Sequence, residues 1–291
     1  MIGSHGRARL LALVRVGLGV LCLLPAVGCA TGESPGDDDP GNPDAGPGPG
    51  ADASPPPDGP SGPPAACVEA LDAAAFDFES GPAGWTHDLM PEIEGTDVNW
   101  RFDDWEHGTA SNVGPAACHD GNGCWATRLD NNYIACQRAY LMSPPIDPSA
   151  CAGEDLTLTF QHWYDFWTGD WDGQTWFDGG LIELKTEGAG WSSPPGLDYP
   201  GTIAINPAKD PPYECIEPGN FYVDGKPGFV GTGSGWEPVE VAIPAEMVTE
   251  SFRIRFSYSS GVILNDDTQN ANNFSNAGWY IDDLAVVPTA R

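Results

Sequence analysis

The sequence predicts an all-β sandwich behind a long irregular leader, and three observations predict it. From Cys67 onward, short runs rich in aromatic and β-branched residues recur between clusters of Gly, Pro, Asn and Asp. No stretch keeps an apolar period of 3.6 residues for three turns, which argues against packed helices. Two runs alternate cleanly: Leu156, Leu158 and Phe160 share one face of a strand, and Ile254, Phe256 and Tyr258 share one face of another.

In chain order, residues 1–28 read as a secretory signal. Arg7, Arg9 and Arg15 form a basic n-region, and Val16 to Gly28 an apolar stretch too short to remain as a membrane-spanning helix. Pro25-Ala-Val-Gly-Cys29 resembles the lipobox of bacterial lipoproteins, which implies lipidation at Cys29, with Ala26 where that motif usually has Leu. Acyl chains there would anchor the protein, each buried methylene contributing about 0.8 kcal/mol. Residues 29–66 form a tether of Gly, Pro, Asp, Ala and Ser. Between Thr31 and Pro64 it holds seven acidic residues and no Lys or Arg, so it cannot bury a core and is expected to be disordered.

Residues 67–291 are expected to form one domain. Candidate strands are Ala75 to Glu79, Val98 to Phe102, Cys124 to Leu129, Ala139 to Met142, Leu156 to Tyr164, Gly180 to Thr186, Thr202 to Ile205, Pro238 to Ile243, Phe252 to Ser259 and Trp279 to Val287. The last precedes Pro288, which removes a ladder donor. Alternation would send Asp282 and Asp283 to opposite faces, one of them into apolar surroundings, where a carboxylate needs a cation, a metal or several donors.

Beyond Cys22 and Cys29, six cysteines remain: Cys67, Cys118, Cys124, Cys136, Cys151 and Cys215. An even number in an exported chain suggests disulfides, with 15 possible pairings. Cys118 with Cys124 would close a tight loop, and Cys136 with Cys151 is the next expected pair. The net charge of -30 becomes more negative without the signal's arginines, a field that repels nucleic acid and anionic lipid.

Nine fragments then occur in an order seen in a known family. They are Phe76-Asp-Phe-Glu79, Gly84-Trp85, Trp100, Leu141-Met-Ser-Pro-Pro-Ile146, Leu156 to Asp165, Phe177-Asp-Gly-Gly180, Gly235-Trp236, Phe252-Arg-Ile-Arg-Phe256 and Gly278-Trp-Tyr-Ile-Asp-Asp-Leu284. Over residues 74–287 the chain resembles MAM-like, concanavalin-like jelly-roll domains. More narrowly it resembles the ancillary sandwiches of immune inhibitor A-type metallopeptidases and cleaved-adhesin modules. The resemblance implies a jelly roll used in adhesion, protein contact or substrate targeting. It also implies a structural calcium (Ca²⁺) held by Glu79 and by Asp282 or Asp283, with Asp178 as a further ligand, an assignment that agrees with calcium's demand for six to eight hard oxygens. The competing reading has these acids capping turns or pairing with Arg253 or Arg255.

Two loops are candidates for ligand binding. Trp167, Trp171 and Trp176 crowd a polar turn, either as a platform for sugar rings or a protein partner, or as self-packing of an inserted hairpin. The 261–277 connection carries Asn265, Asp266 and Asp267, and its length is itself a functional signal. Asp170-Trp-Asp172-Gly173 fails the EF-hand count, since Thr168 and Gly179 stand where carboxylates are needed. No His-Glu-x-x-His occurs, Gly231-Thr-Gly-Ser-Gly235 misses the nucleophile-elbow register, and His162 reads as a half-buried sheet residue. The sequence thus points to a lipid-anchored module of the bacterial cell envelope, at the outer membrane or cell surface. Its expected role is non-catalytic binding of extracellular glycan or protein. The alternatives are a glycan-active hydrolase on the same scaffold and a purely structural envelope component.

Overall fold

The chain enters the domain through a short helix, α1 (Ala65–Asp72), whose residues Cys67 and Leu71 lie one turn apart and are both buried. The structure is a computed structural model describing residues 62–90, 103–111, 113–134, 137–171, 174–204, 225–260 and 275–289, with the side chains of 170–177 not described. All of these fall in one unit, Asp58–Arg291. The expected leader, Cys29 and most of the tether lie outside the described residues. Among the described residues no helix is long and apolar enough to cross a membrane.

Among the described residues fourteen strands follow. The first five are β1 (Ala75–Phe76), β2 (Thr86–Leu89), β3 (Glu106–Gly108), β4 (Cys124–Ala126) and β5 (Arg138–Met142). Next comes β6 (Leu156–Asp165), the long alternating strand, followed by the hairpin β7 (Thr168–Trp171) and β8 (Gln174–Phe177) and by β9 (Gly179–Lys185). The remainder are β10 (Gly201–Thr202), β11 (Pro227–Val230), β12 (Glu237–Ile243), β13 (Arg253–Ser259) and β14 (Gly278–Pro288).

They form two antiparallel sheets. One runs β12-β6-β14-β4-β3 with β1 also on β14, and the other runs β10-β11-β9-β13-β5-β2. The expected all-β sandwich is therefore what the chain forms. The first and last strands meet, Ala75 opposite Ala285 and Phe76 opposite Leu284. Non-local pairing of this kind joins the two ends of the domain in one sheet.

The core lies between the sheets. Leu156, Leu158, Phe160, His162 and Tyr164 all face inward from β6, and Ile254, Phe256 and Tyr258 face them from β13. At the centre sits Trp279, fully buried, its indole edge-on to Phe256 at 5.4 Å and against Phe229 at 5.7 Å. Gly180 on β9 makes room for it, because a Cβ there would stand 2.4 Å from the Trp279 ring.

Several sequence expectations change, among them the strands expected at Cys124 to Leu129 and Thr202 to Ile205, which are Cys124–Ala126 and Gly201–Thr202. Strand Ala75 to Glu79 stops at Phe76, because Phe78 adopts φ 57° and turns the chain. Strands β2, β3 and β11 were not expected; they are short, and polar or Gly-containing, so alternation does not reveal them. Val98 to Phe102 lies outside the described residues. The Cys118–Cys124 disulfide forms as expected. Cys151, however, bonds Cys67 rather than Cys136, because α1 sets Cys67 beside a 3-10 turn at Ser149–Cys151, with Cα atoms 4.7 Å apart. Cys136 and Cys215 lie outside the described residues. These bridges fit a chain matured in an oxidising compartment.

The Cys67–Cys151 bridge spans 84 residues and ties α1 to the sandwich. Replacing both cysteines by serine should lower the unfolding free energy by about 2–5 kcal/mol in denaturant titration. Peptide mapping without reduction should recover the 67–151 pair, and recovery of 136–151 would contradict the fold as described.

Candidate functional site

The acidic residues expected to hold calcium are brought together in part. Glu79 follows the end of β1, and its Oε1 accepts from the backbone N–H groups of Asn122 (2.9 Å) and Gly123 (2.7 Å). Asp282 lies on β14, and its Oδ2 accepts from the N–H groups of His119 (2.9 Å) and Asp120 (3.3 Å), while Oδ1 accepts from Asp283 N–H at 2.9 Å. Both carboxylates thus grip the loop closed by Cys118 and Cys124. Gly121 is required there: its φ is +56° and a Cβ would lie 2.2 Å from the Glu79 carboxyl.

Asp282 and Asp283 do not simply alternate. The register shifts between Asp282 and Ala285, and Asp283 takes φ 47°, a bulge that leaves Asp282 buried and turns Asp283 to His119 Nδ1 at 2.6 Å. Asp178 does not join them: it is buried beside β9 and accepts from the Tyr133 hydroxyl at 2.6 Å. Glu79 and Asp282 thus accept from backbone N–H groups, and Asp178 from a hydroxyl. Among the described residues no group of three or more His, Cys, Asp or Glu side chains is placed to hold a metal. Arg255, one of the expected partners, binds Glu183 at 2.7 Å on the outer face of the second sheet.

Of the expected ligand-binding residues, Trp167 packs against the core and over Gly169, where a Cβ would come within 1.7 Å of the indole. That is the self-packing reading of the hairpin β7–β8, for this residue. The side chains of Trp171 and Trp176 and all of Asn265, Asp266 and Asp267 lie outside what the structure describes.

A different site appears where both sheets end on the same side. The edge strand β12, the strand β6 behind it, β11 of the facing sheet and the turn at 196–200 enclose a cleft of about 490 Å³. That is within the usual range for small-ligand sites. Its inner wall is aromatic: His162 lies 4.4 Å from Phe229 and 5.1 Å from Tyr164, and Tyr199 lies 5.0 Å from Phe229 (ring centroids). Tyr199 also covers a gap left where β11 ends, its hydroxyl accepting from the backbone N–H of Ile182 on β9 at 3.0 Å. Asp198, Glu237 and Glu240 supply the charge in the lining.

His162 and Glu237 are direct cross-strand partners. The indole N–H of Trp279 donates to His162 Nδ1 at 3.2 Å. Burial pushes the His162 imidazole down to about 4, outweighing the pull of Glu237. The ring is therefore neutral at pH 7 with its proton on Nε2. Glu237 is held below the usual carboxylate range by the Ser234 hydroxyl and N–H, both 2.6 Å from Oε1. The cleft thus sets one N–H donor and one carboxylate acceptor side by side at an aromatic wall. His162 is only 1% exposed, so the half-buried reading of it gives way: the alternation that begins at Leu156 carries it inward. That alternation could have flagged it, since a histidine on an apolar face needs a partner. Tyr199 and Glu237 came with no comparable signal.

No family model matches the chain, and none of the curated proteins does. The narrower MAM-like kinship expected from the motifs therefore has no family match behind it. Among solved structures, the chain is similar to the tandem CBM22-1–CBM22-2 domain of Paenibacillus barcinonensis Xyn10C, at 14% identity and a TM-score of 0.33. That match covers 75% of this chain and 50% of the tandem, so the chain spans half the tandem's length. The single CBM22-2 xylan-binding domain of the same protein matches at 13% identity and a TM-score of 0.31, over 75% of this chain and 99% of that one. These are likenesses of β-sandwich architecture at a distance.

Two measurements follow from these acids. Truncating Glu79 or Asp282 to alanine strands backbone N–H groups of the disulfide loop, and each should cost about 1–3 kcal/mol in denaturant unfolding. The second concerns Asp104, which takes the N–H of Ile134 at 3.0 Å and the hydroxyl of Tyr258. Burial pushes Asp104 up to about 7, and burial with the neighbouring Asp283 charge does the same for Asp282. Both keep protons that the unfolded chain has lost, so their contribution is complete below pH ~4 and disappears as pH rises through about 7. His162 opposes them: its contribution is present above about 6.5 and is lost as pH falls toward 4. The unfolding free energy should fall by about 2–4 kcal/mol between roughly pH 5 and pH 8, and Asp104→Asn should make the fall shallower. Equal slopes for parent and variant would show that Asp104 does not carry it.

Proposed function

We propose that this protein is a non-catalytic glycan-binding module whose site is the cleft between the sheet edges. One observation carries the reading: His162, with Nε2–H as its remaining donor, and Glu237, a carboxylate, stand opposite each other at a wall formed by Tyr164, Tyr199 and Phe229. A sugar ring needs that combination. Adjacent hydroxyls accept from one group and donate to the other, while the ring's apolar face lies on an aromatic side chain. The expected lipid anchor at Cys29 and the acidic tether belong to the same proposal. They would hold the module away from the envelope surface, where extracellular glycan is met.

The hydrolase alternative draws on the carboxylates Asp198, Glu237 and Glu240, any two of which would need an acid and base or nucleophile pairing across a bound sugar. Glu237 argues against the acid role, because the Ser234 bonds favour its ionised form. A glycan array probed with the full chain should show retention of a defined set of oligosaccharides without release of reducing ends. Glu237→Ala should weaken that retention by ~10-fold or more with little change in melting temperature, as expected for a lost hydrogen bond to a charged group. Sugar release abolished by a single carboxylate substitution would replace this reading with the hydrolase. Unchanged retention in Glu237→Ala would move the site elsewhere.

A further inference from the structure

The whole chain carries 12 Lys and Arg against 42 Asp and Glu, and the cleft carries the imbalance inward. Its charged side chains are Asp198, Glu237 and Glu240, and no Lys or Arg is among the described residues that line it. The carboxylates do not stand alone. Behind them lie the rings of Tyr164, Tyr199 and Phe229, whose faces attract cations. Beside them lies His162, almost fully buried, whose Nδ1 is taken by Trp279 and whose Nε2–H makes no hydrogen bond among the described residues. Ser234 fixes Glu237 through Oε1, and Oε2 makes no hydrogen bond among the described residues.

Resting on the glycan reading of this cleft, we infer that it selects sugars bearing a free ammonium group next to a hydroxyl, the pattern of a 2-amino-2-deoxy hexose. The ammonium pairs with Glu237 Oε2, the neighbouring hydroxyl oxygen accepts from His162 Nε2–H, and the ring lies on the aromatic wall. Cross-strand partners sit about 4.5–5.5 Å apart at Cβ, a separation suited to two adjacent ring substituents. N-acetylation removes the charge that Glu237 and the rings attract. A uronic acid would bring a like charge to three carboxylates, a clash that discriminates as strongly as the attraction does.

Calorimetric titration of the full chain with four tetrasaccharides tests this: glucosamine, N-acetylglucosamine, xylose and galacturonate. The glucosamine tetramer should bind at least ~10-fold tighter than the two neutral ones, and the galacturonate not at all, as for a charge-assisted bond gained in one case and repulsion in the other. The preference should shrink as salt is raised. Glu237→Gln should bring the glucosamine and xylose affinities within about twofold of each other while the xylose affinity is kept, and Glu240→Gln should reduce the preference less. Equal binding of the charged and acetylated tetramers overturns the inference and leaves the glycan reading standing. Binding of none of the four removes the glycan reading and this inference together. Spermidine competing as tightly as the glucosamine tetramer would show that the cleft reads charge alone, and would overturn the sugar assignment.

Discussion

The sandwich depends on one packing event, the seating of the Trp279 indole over Gly180. The strand that carries Trp279 pairs with β6, β4 and β1, and the glycine sits on the facing sheet, so the contact fixes the distance between the two layers at their centre. Any side chain at Gly180 would have to displace the indole or the strand beneath it. The same indole donates its N–H to His162, so the group that sets the layer spacing also sets the imidazole's tautomer. Removing the ring would leave a cavity costing about 3–5 kcal/mol and would free the imidazole to turn.

The two halves of the molecule solve the problem of buried charge in different ways. At one end, buried Asp282 reaches from the last strand, and exposed Glu79 from just past the first, into a loop held by a disulfide, and backbone N–H groups answer both carboxylates. Several amide donors can stand where a cation would otherwise be needed, since what a buried carboxylate requires is positive potential and not a particular source of it. On the outer face of the second sheet, Arg255 answers Glu183 directly and stacks over Trp191 at 4.4 Å. In the cleft, Ser234 answers one oxygen of Glu237.

Much of the fold was legible in the sequence because long strands advertise themselves. Leu156 to Tyr164, Phe252 to Ser259 and Trp279 to Val287 alternate over enough residues for the inner face to be read directly, and the meeting of the domain's first and last strands was implied only by the family resemblance. The short strands could not be read, since two to four residues such as Thr86–Leu89 carry no period. The bulge at Asp283 was hidden for a related reason: one extra residue resets alternation locally, and no neighbouring Gly or Pro announces it. Proximity in sequence favoured Cys136 for Cys151, whereas the partner came from 84 residues away through a helix that the aperiodic tether composition concealed. The cleft was the least legible part. It is assembled from β6, β11, β12 and a turn, and only His162 belonged to a strand whose facing could be foreseen.

Tyr199 serves two purposes at once, and they pull on each other. Its ring is a wall of the cleft, while its hydroxyl occupies the Ile182 N–H that the early end of β11 leaves bare. An unpaired edge group beside an apolar wall invites a strand from another molecule. A substitution that widened the cleft at this position would therefore also strip the Ile182 N–H of its acceptor.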